Sequence, residues 1–188
     1  MDRVTPVSQR RRRRSRGAEL LEFTLILLPM LAFITVLADT AYATWAEATM
    51  QRAVRIGVRV GVTLTATQLA AAPYNGATLT DAVKSTVQAN SFGLLSGATG
   101  LSKIKVYYFQ PPDPSDSSGT GTDVTALASG NAPGNIMTVA VEGFSLVPLM
   151  PRITSLKTVA DNNPLVVNVN SADRIEPSKN IPVKGTAP

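Results

Sequence analysis

The sequence predicts an α+β fold: a long N-terminal helix, transmembrane in its first half, packed on a small antiparallel sheet of three or four strands with one short extra helix. Three observations predict it. Residues 23–38 form an uncharged, largely apolar run. Beyond them Ala46, Met50, Ala53, Gly57, Val60 and Leu64 recur at intervals of three and four, the spacing of one helix face. Residues 102–110 then alternate between apolar and polar in the manner of a half-buried strand. At 188 residues the chain has room for one domain and an anchor, and too little for two sizeable cores.

Charge locates the anchor. Residues 1–17 carry seven arginines against the single acid Asp2, a net of +6, whereas the remaining 171 residues are close to neutral at −1. The 16 uncharged residues of 23–38 span about 24 Å as a helix, short of a bilayer core of about 30 Å. Extending back to Ala18 gives about 31 Å and brings Glu19 and Glu22 to the membrane edge. Tyr42 and Trp45 follow at the far end, where amphipathic aromatics collect. A secretory signal peptide cut near Ala38, Ala41 or Ala43 is one reading, weakened by Asp39 and by the length of the apolar run. A soluble buried helix with a basic tail on nucleic acid is another, but the body is neutral and poor in aromatics. The reading preferred is a retained anchor, with the arginines held on the cytoplasmic side.

The helix is expected to continue to about Gln68, with Arg52, Arg55 and Arg59 on the face opposite the apolar one. That stripe offers contacts to acidic partners or lipid head groups, although a solvated helix face has the same pattern. Gly57 and Gly61 form a small-xxx-small pair; outside the membrane this marks a close approach of the sheet to the helix backbone. Residues 73–76 read as a turn. Thr78, with Asp81 three residues on, starts the short helix, and Gly93 ends it. Residues 102–110, 135–144 and 164–171 read as strands. Residues 111–134 read as a flexible exposed loop, whose Asp113, Asp116 and Asp123 lack the spacing of a calcium loop. Pro148 and Pro151 break the chain, and residues 177–188 read as a polar tail.

The absence of cysteine excludes disulfides and thiolate chemistry, and the absence of histidine removes the usual general base and the commonest metal ligand. No spacing of serine, lysine or carboxylate forms a catalytic motif. The sequence therefore predicts no enzyme, cofactor, metal, nucleic-acid partner or small-molecule substrate.

The stretch Arg16-Gly17-Ala18-Glu19-Leu20-Leu21-Glu22-Phe23, with Pro29 inside the apolar run, resembles the start of TadE-like proteins, the pseudopilins of tight-adherence (Flp) pili. Gln51-Arg52-Ala53-Val54-Arg55-Ile56-Gly57-Val58-Arg59 is similar to the family's segment after the anchor. Residues 139–151 resemble its strand and Pro-Leu-rich turn, and Asp173-Arg174-Ile175-Glu176-Pro177 its closing Arg-x-Glu-Pro. The resemblance implies a cytoplasmic leader, residues 1–17, cut between Gly17 and Ala18 by a prepilin peptidase. Residues 18–45 are then the membrane part of the helix, packing through Phe23, Leu27, Met30, Leu31 and Ile34, and residues 46–188 an extracytoplasmic domain. Glu22, fifth residue after the cut, becomes the assembly carboxylate. The implied partners are other pilins or pseudopilins and the pilus secretion machinery, at the bacterial inner membrane with the N-terminus cytoplasmic. Glu19 and the density of arginines depart from the family pattern. An anchored binding domain without a pilus is the alternative.

Overall fold

The computed structural model describes residues 8–112, 121–146, 165–177 and 180–186, with side chains from residue 17 onward. The elements in chain order are α1 (Ser8–Thr63), α2 (Ala66–Ala70), α3 (Leu79–Asn90), α4 (Gly97–Ser102), β1 (Ile104–Gln110), β2 (Thr122–Asp123), β3 (Ile136–Leu146) and β4 (Leu165–Arg174). The chain divides into two compact units, one ending at Tyr42 within α1 and the other beginning at Ala43. The predicted α+β class holds, with a long helix, a four-stranded antiparallel sheet and the expected short helix, α3.

In the second unit the sheet order is β2-β1-β3-β4, every neighbouring pair antiparallel. Alternation sets its inner face: Ile104, Val106 and Tyr108 of β1 are buried, as are Met137, Val139 and Val141 of β3 and Val167 and Val169 of β4. The upper part of α1 joins the same core through Ala46, Met50, Ala53, Val54 and Val58, and α3 through Leu79, Val83 and Val87. The buried stripe of α1 is turned from the predicted one, because Val54, Val58 and Val62 lie inside while Val60 and Leu64 are only half-buried. The glycines account for the close packing. A Cβ on Gly57 would lie 2.4 Å from Val87 Cγ2, and one on Gly61 would lie 2.5 Å from Met137 Sδ. Helix α3 and strand β3 thus both approach α1, where the sheet alone was expected.

Four expectations need correction. Helix α1 stops at Thr63 rather than near Gln68. Thr65 there takes an extended conformation and caps α2, and its side chain and that of Gln68 form a reciprocal capping box. Two one-turn helices, α2 and α4, were not predicted; runs this short carry no apolar period to detect. The reading of 111–134 as an exposed loop fails over 121–134, where β2 extends the sheet and Val124, Thr125 and Asn131 are buried. The polar tail is docked over residues 180–186. The Asn180 carbonyl accepts from the Ala66 amide, and those of Val183 and Lys184 accept from the first amides of α3, Leu79 and Thr80. Those two amides belong to the helix's orphan donors, so the tail supplies partners that α3 cannot provide itself. Lys184 is buried, with its ammonium on the Thr125 and Leu127 carbonyls and 5.6 Å from the centre of the Tyr108 ring. Pro148, Pro151, Asp113 and Asp116 lie outside the described residues.

The turn at 73–76 and the cap of α3 are found where expected, with the Asp81 amide donating to Thr78 Oγ1. Helix α3 ends at Asn90, and Gly93 follows at φ +85°. The closing Arg174-Ile175-Glu176 has a structural task within the second unit. Arg174 Nε donates to the Gly134 carbonyl at 3.0 Å, Ile175 is buried, and the Glu176 amide donates to the Val62 carbonyl near the end of α1.

Tyr108 gives the domain a measurable alkaline limit. Burial pushes its hydroxyl up to about 12, against a weaker opposing effect of the hydrogen bond with Thr80. The unfolded chain ionises this group near 10, so stability is complete below that pH and is lost as pH rises from 10 towards 12. The expected slope in that interval is about 1.4 kcal/mol per pH unit from this residue. Urea titrations of the wild type and of Tyr108→Phe from pH 8 to 11.5 check it, because the variant should lose that part of the slope.

Candidate functional site

The first unit presents the residues that the sequence singled out. Ala18 to Ile56 contain no glycine, and only Pro29 interrupts a stretch rich in leucine, alanine and methionine, so the backbone favours helix throughout. Polar residues do not disturb it. The hydroxyls of Thr24, Thr35 and Thr40 turn back onto the carbonyls of Leu20, Leu31 and Val36, four residues earlier. A threonine satisfied within its own helix can enter lipid without an unpaired donor. Pro29 lacks an N–H, which leaves the Leu25 carbonyl without its helical partner.

Along this stretch the apolar side chains face outward. Phe23, Met30, Leu31 and Ile34 are all more than half exposed, and Leu27 is also exposed. Their spacing places them on one face. So large an apolar surface in water would be a liability; in a bilayer or against other helices it is the contact surface. Within Gly17–Thr63 the helix is long and apolar enough to cross a membrane, and its apolar window is not buried by the rest of the chain. This is consistent with membrane anchoring.

Gly17, Ala18, Glu19 and Glu22 are exposed. Nothing lies within 4 Å of a Cβ built on Gly17. Ala18 and Glu22 are separated by one helical turn and share a face, and helical side chains lean towards the N-terminus, so the Glu22 carboxylate leans towards Ala18. Arg52, Arg55 and Arg59 are exposed on α1 in the second unit. Among the described residues no cluster of three or more acidic side chains could hold a metal ion.

Comparison with known families decides what this helix resembles. Residues 17–59 match the TadE-like protein family. The match opens at Gly17 and takes in Ala18, Glu22, the outward apolar face and all three arginines of the stripe. The TadE-like segment therefore crosses from the first unit into the second and ends four residues before Thr63, the last residue of α1. The later sequence similarities, at 139–151 and 173–177, lie outside it. No curated protein and no solved structure matches the chain.

The apolar helix was legible because hydropathy marks it without reference to tertiary contacts. The docked tail was not, since Pro182 and Lys184 resemble any loose terminus until their partners are seen: Asn131 for the Pro182 carbonyl, Thr80 of α3 for the Lys184 carbonyl, and the Thr125 and Leu127 carbonyls for the Lys184 ammonium.

Proposed function

We propose that the chain is a TadE-like pseudopilin, a structural or assembly component of a tight-adherence pilus. It is held in the bacterial inner membrane by residues 18–45, with residues 1–17 cytoplasmic and residues 46–188 beyond the membrane. The observation that carries this reading is the coincidence on one helix of the family match, the Gly17-Ala18 junction, Glu22 and an outward apolar face. A prepilin peptidase cuts after Gly17. The cut creates a helix N-terminus with three unpaired amides and a free amine, all positive in character, one turn from Glu22. In the membrane that carboxylate is costly by itself. Pairing with the new amine of a neighbouring subunit offsets the desolvation of both groups and fixes how one helix sits against the next. Phe23, Leu27, Met30, Leu31 and Ile34 supply the packing surface, and Arg52, Arg55 and Arg59 meet partner subunits or the secretion machinery. The competing reading, an anchored binding domain without a pilus, needs no cut.

Mass spectrometry of the mature N-terminus from native membranes tests the proposal. A start at Ala18 that disappears when the peptidase is removed is the expected result. A start between Ala38 and Ala43 means a signal peptide, and an intact Met1 means a plain anchor; either overturns the pseudopilin reading. Gly17→Leu should abolish the Ala18 start while leaving the domain folded, since a Cβ at Gly17 meets nothing within 4 Å.

A further inference from the structure

The last turn of α1 is only half satisfied. A helix ends on four carbonyls that its own amides do not reach. Among the described residues two of the four find partners, the Val60 carbonyl in the Leu64 amide and the Val62 carbonyl in the Glu176 amide. The Thr65 amide, which a continuing helix would give to Gly61, donates instead to Gln68 Oε1 at 2.9 Å. Gly61 and Thr63 therefore keep carbonyls without a donor among the described residues, and α1 has no basic residue in its last turn to supply one.

Both residues line a cavity of about 160 Å³ within the second unit. Leu64, Leu79, Ile175 and Ile181 make its apolar wall, and Glu176 belongs to the lining as well. Ile175 and Glu176 come from the closing stretch whose Arg174 is turned onto the Gly134 carbonyl. No lysine or arginine among the described residues lines the cavity. The space is larger than a single water's share of about 30 Å³. It combines two unmatched acceptors at the negative end of the helix dipole, a carboxylate and an aliphatic wall. The occupant this calls for is a donor that carries positive charge on an apolar stem. A guanidinium fits, because it has only N–H donors and no acceptor.

We propose that this cavity binds an alkyl guanidinium, the chemistry of an arginine side chain, through the Gly61 and Thr63 carbonyls and Glu176. That chemistry has two sources. One is the exposed arginine stripe of a second copy. Two copies standing in the same orientation in one membrane bring Arg59 close to the height of the cavity, since Gly61 and Thr63 follow it on α1 by about 3–6 Å of helix rise. The other source is a free guanidine. The shared orientation rests on the anchoring proposed above; the site itself depends on neither leader cleavage nor a pilus.

Methyl-resolved NMR of the full-length chain in lipid nanodiscs, titrated with butylguanidinium, tests the site. The expected result is a saturable shift of the Leu79, Ile175 and Ile181 methyls that neutral butylurea does not reproduce. Glu176→Gln should weaken binding roughly fivefold, since a charge-assisted contact becomes a neutral one. Ile181→Trp should abolish it by filling the cavity, with unchanged Val83 and Val87 methyls showing that the core is intact. Glu176→Gln leaves the main-chain bond to Val62 in place, so the test does not hang on the tryptophan variant. No shift means that water serves the two carbonyls, and an equal shift with butylurea means an apolar hole; either overturns the proposal. Ile181→p-benzoylphenylalanine, irradiated in native membranes, separates the sources. An adduct between differently tagged copies that butylguanidinium suppresses, and that Arg52→Ala, Arg55→Ala and Arg59→Ala together remove, assigns the stripe. Butylguanidinium binding with no protein adduct assigns a free guanidine.

Discussion

Glu22→Ala should leave the protein in the membrane, cut after Gly17, and unable to enter the assembly. Surface pili, counted by electron microscopy or by shearing and immunoblot, should fall at least tenfold, while the Ala18 N-terminus remains. The separation of effects follows from where the residue sits. Glu22 is exposed on α1 and the junction is intact without it, so neither helix formation nor peptidase recognition has reason to change. Insertion becomes easier, because removing a carboxylate from an apolar segment lowers the cost of burying it in lipid. In the proposed pairing, what disappears is the partner for the new amine, which would then be left charged and unpaired between packed helices. Losing one member of a buried pair is typically worth about 3–5 kcal/mol, enough to exclude a subunit that must compete with others for a place. Glu22→Gln should behave like the alanine variant, since it keeps the size and removes the charge. Normal piliation with either variant would end the case for Glu22 as the assembly carboxylate.

Gly57→Val should damage the domain rather than the anchor. The added Cβ would fall 2.4 Å from Val87 Cγ2 and 3.7 Å from Val83 Cγ1, both short, stiff side chains with little room to turn. Helix α3 must move away from α1, or α1 must bend. Overpacking of this kind costs about 3 kcal/mol, which in a domain of this size lowers Tm by about 10 °C. Shortening the obstacle should return part of the loss. A double-mutant cycle of Gly57→Val with Val87→Ala is expected to show favourable coupling of at least about 1 kcal/mol. Zero coupling would mean that the two elements do not meet there. Leader cleavage should be unaffected, which separates this glycine from Gly17, whose surroundings are open.

How much of this was legible in advance depended on how local each signal was. The apolar run and the acid Glu22 at its start stand out because a charge next to an apolar run is visible in the sequence itself, whereas a junction at Gly17-Ala18 is implied by the resemblance alone. The strand at 104–110 was legible through Ile104, Val106 and Tyr108, whose two-residue period needs no partner to be recognised. The break after Thr63 was missed because Val62, Leu64 and Leu69 prolong an apolar pattern past the point where Thr65 turns extended to cap α2. β2 was missed because two residues carry no period, and its place is fixed by pairing with Phe109 and Gln110. Asn131 and Lys184 look solvent-seeking by type. One is buried by bonding to the Pro182 carbonyl and the other by bonding to carbonyls near Thr125, contacts 51 and 59 residues apart in the chain.

The docking of residues 180–186 also constrains the order of events during biosynthesis. Leu79 and Thr80 wait for the carbonyls of Val183 and Lys184, which the ribosome supplies only after every element they close. The domain therefore reaches its final form only after synthesis has passed residue 184, and until then the first amides of α3 lack these two partners.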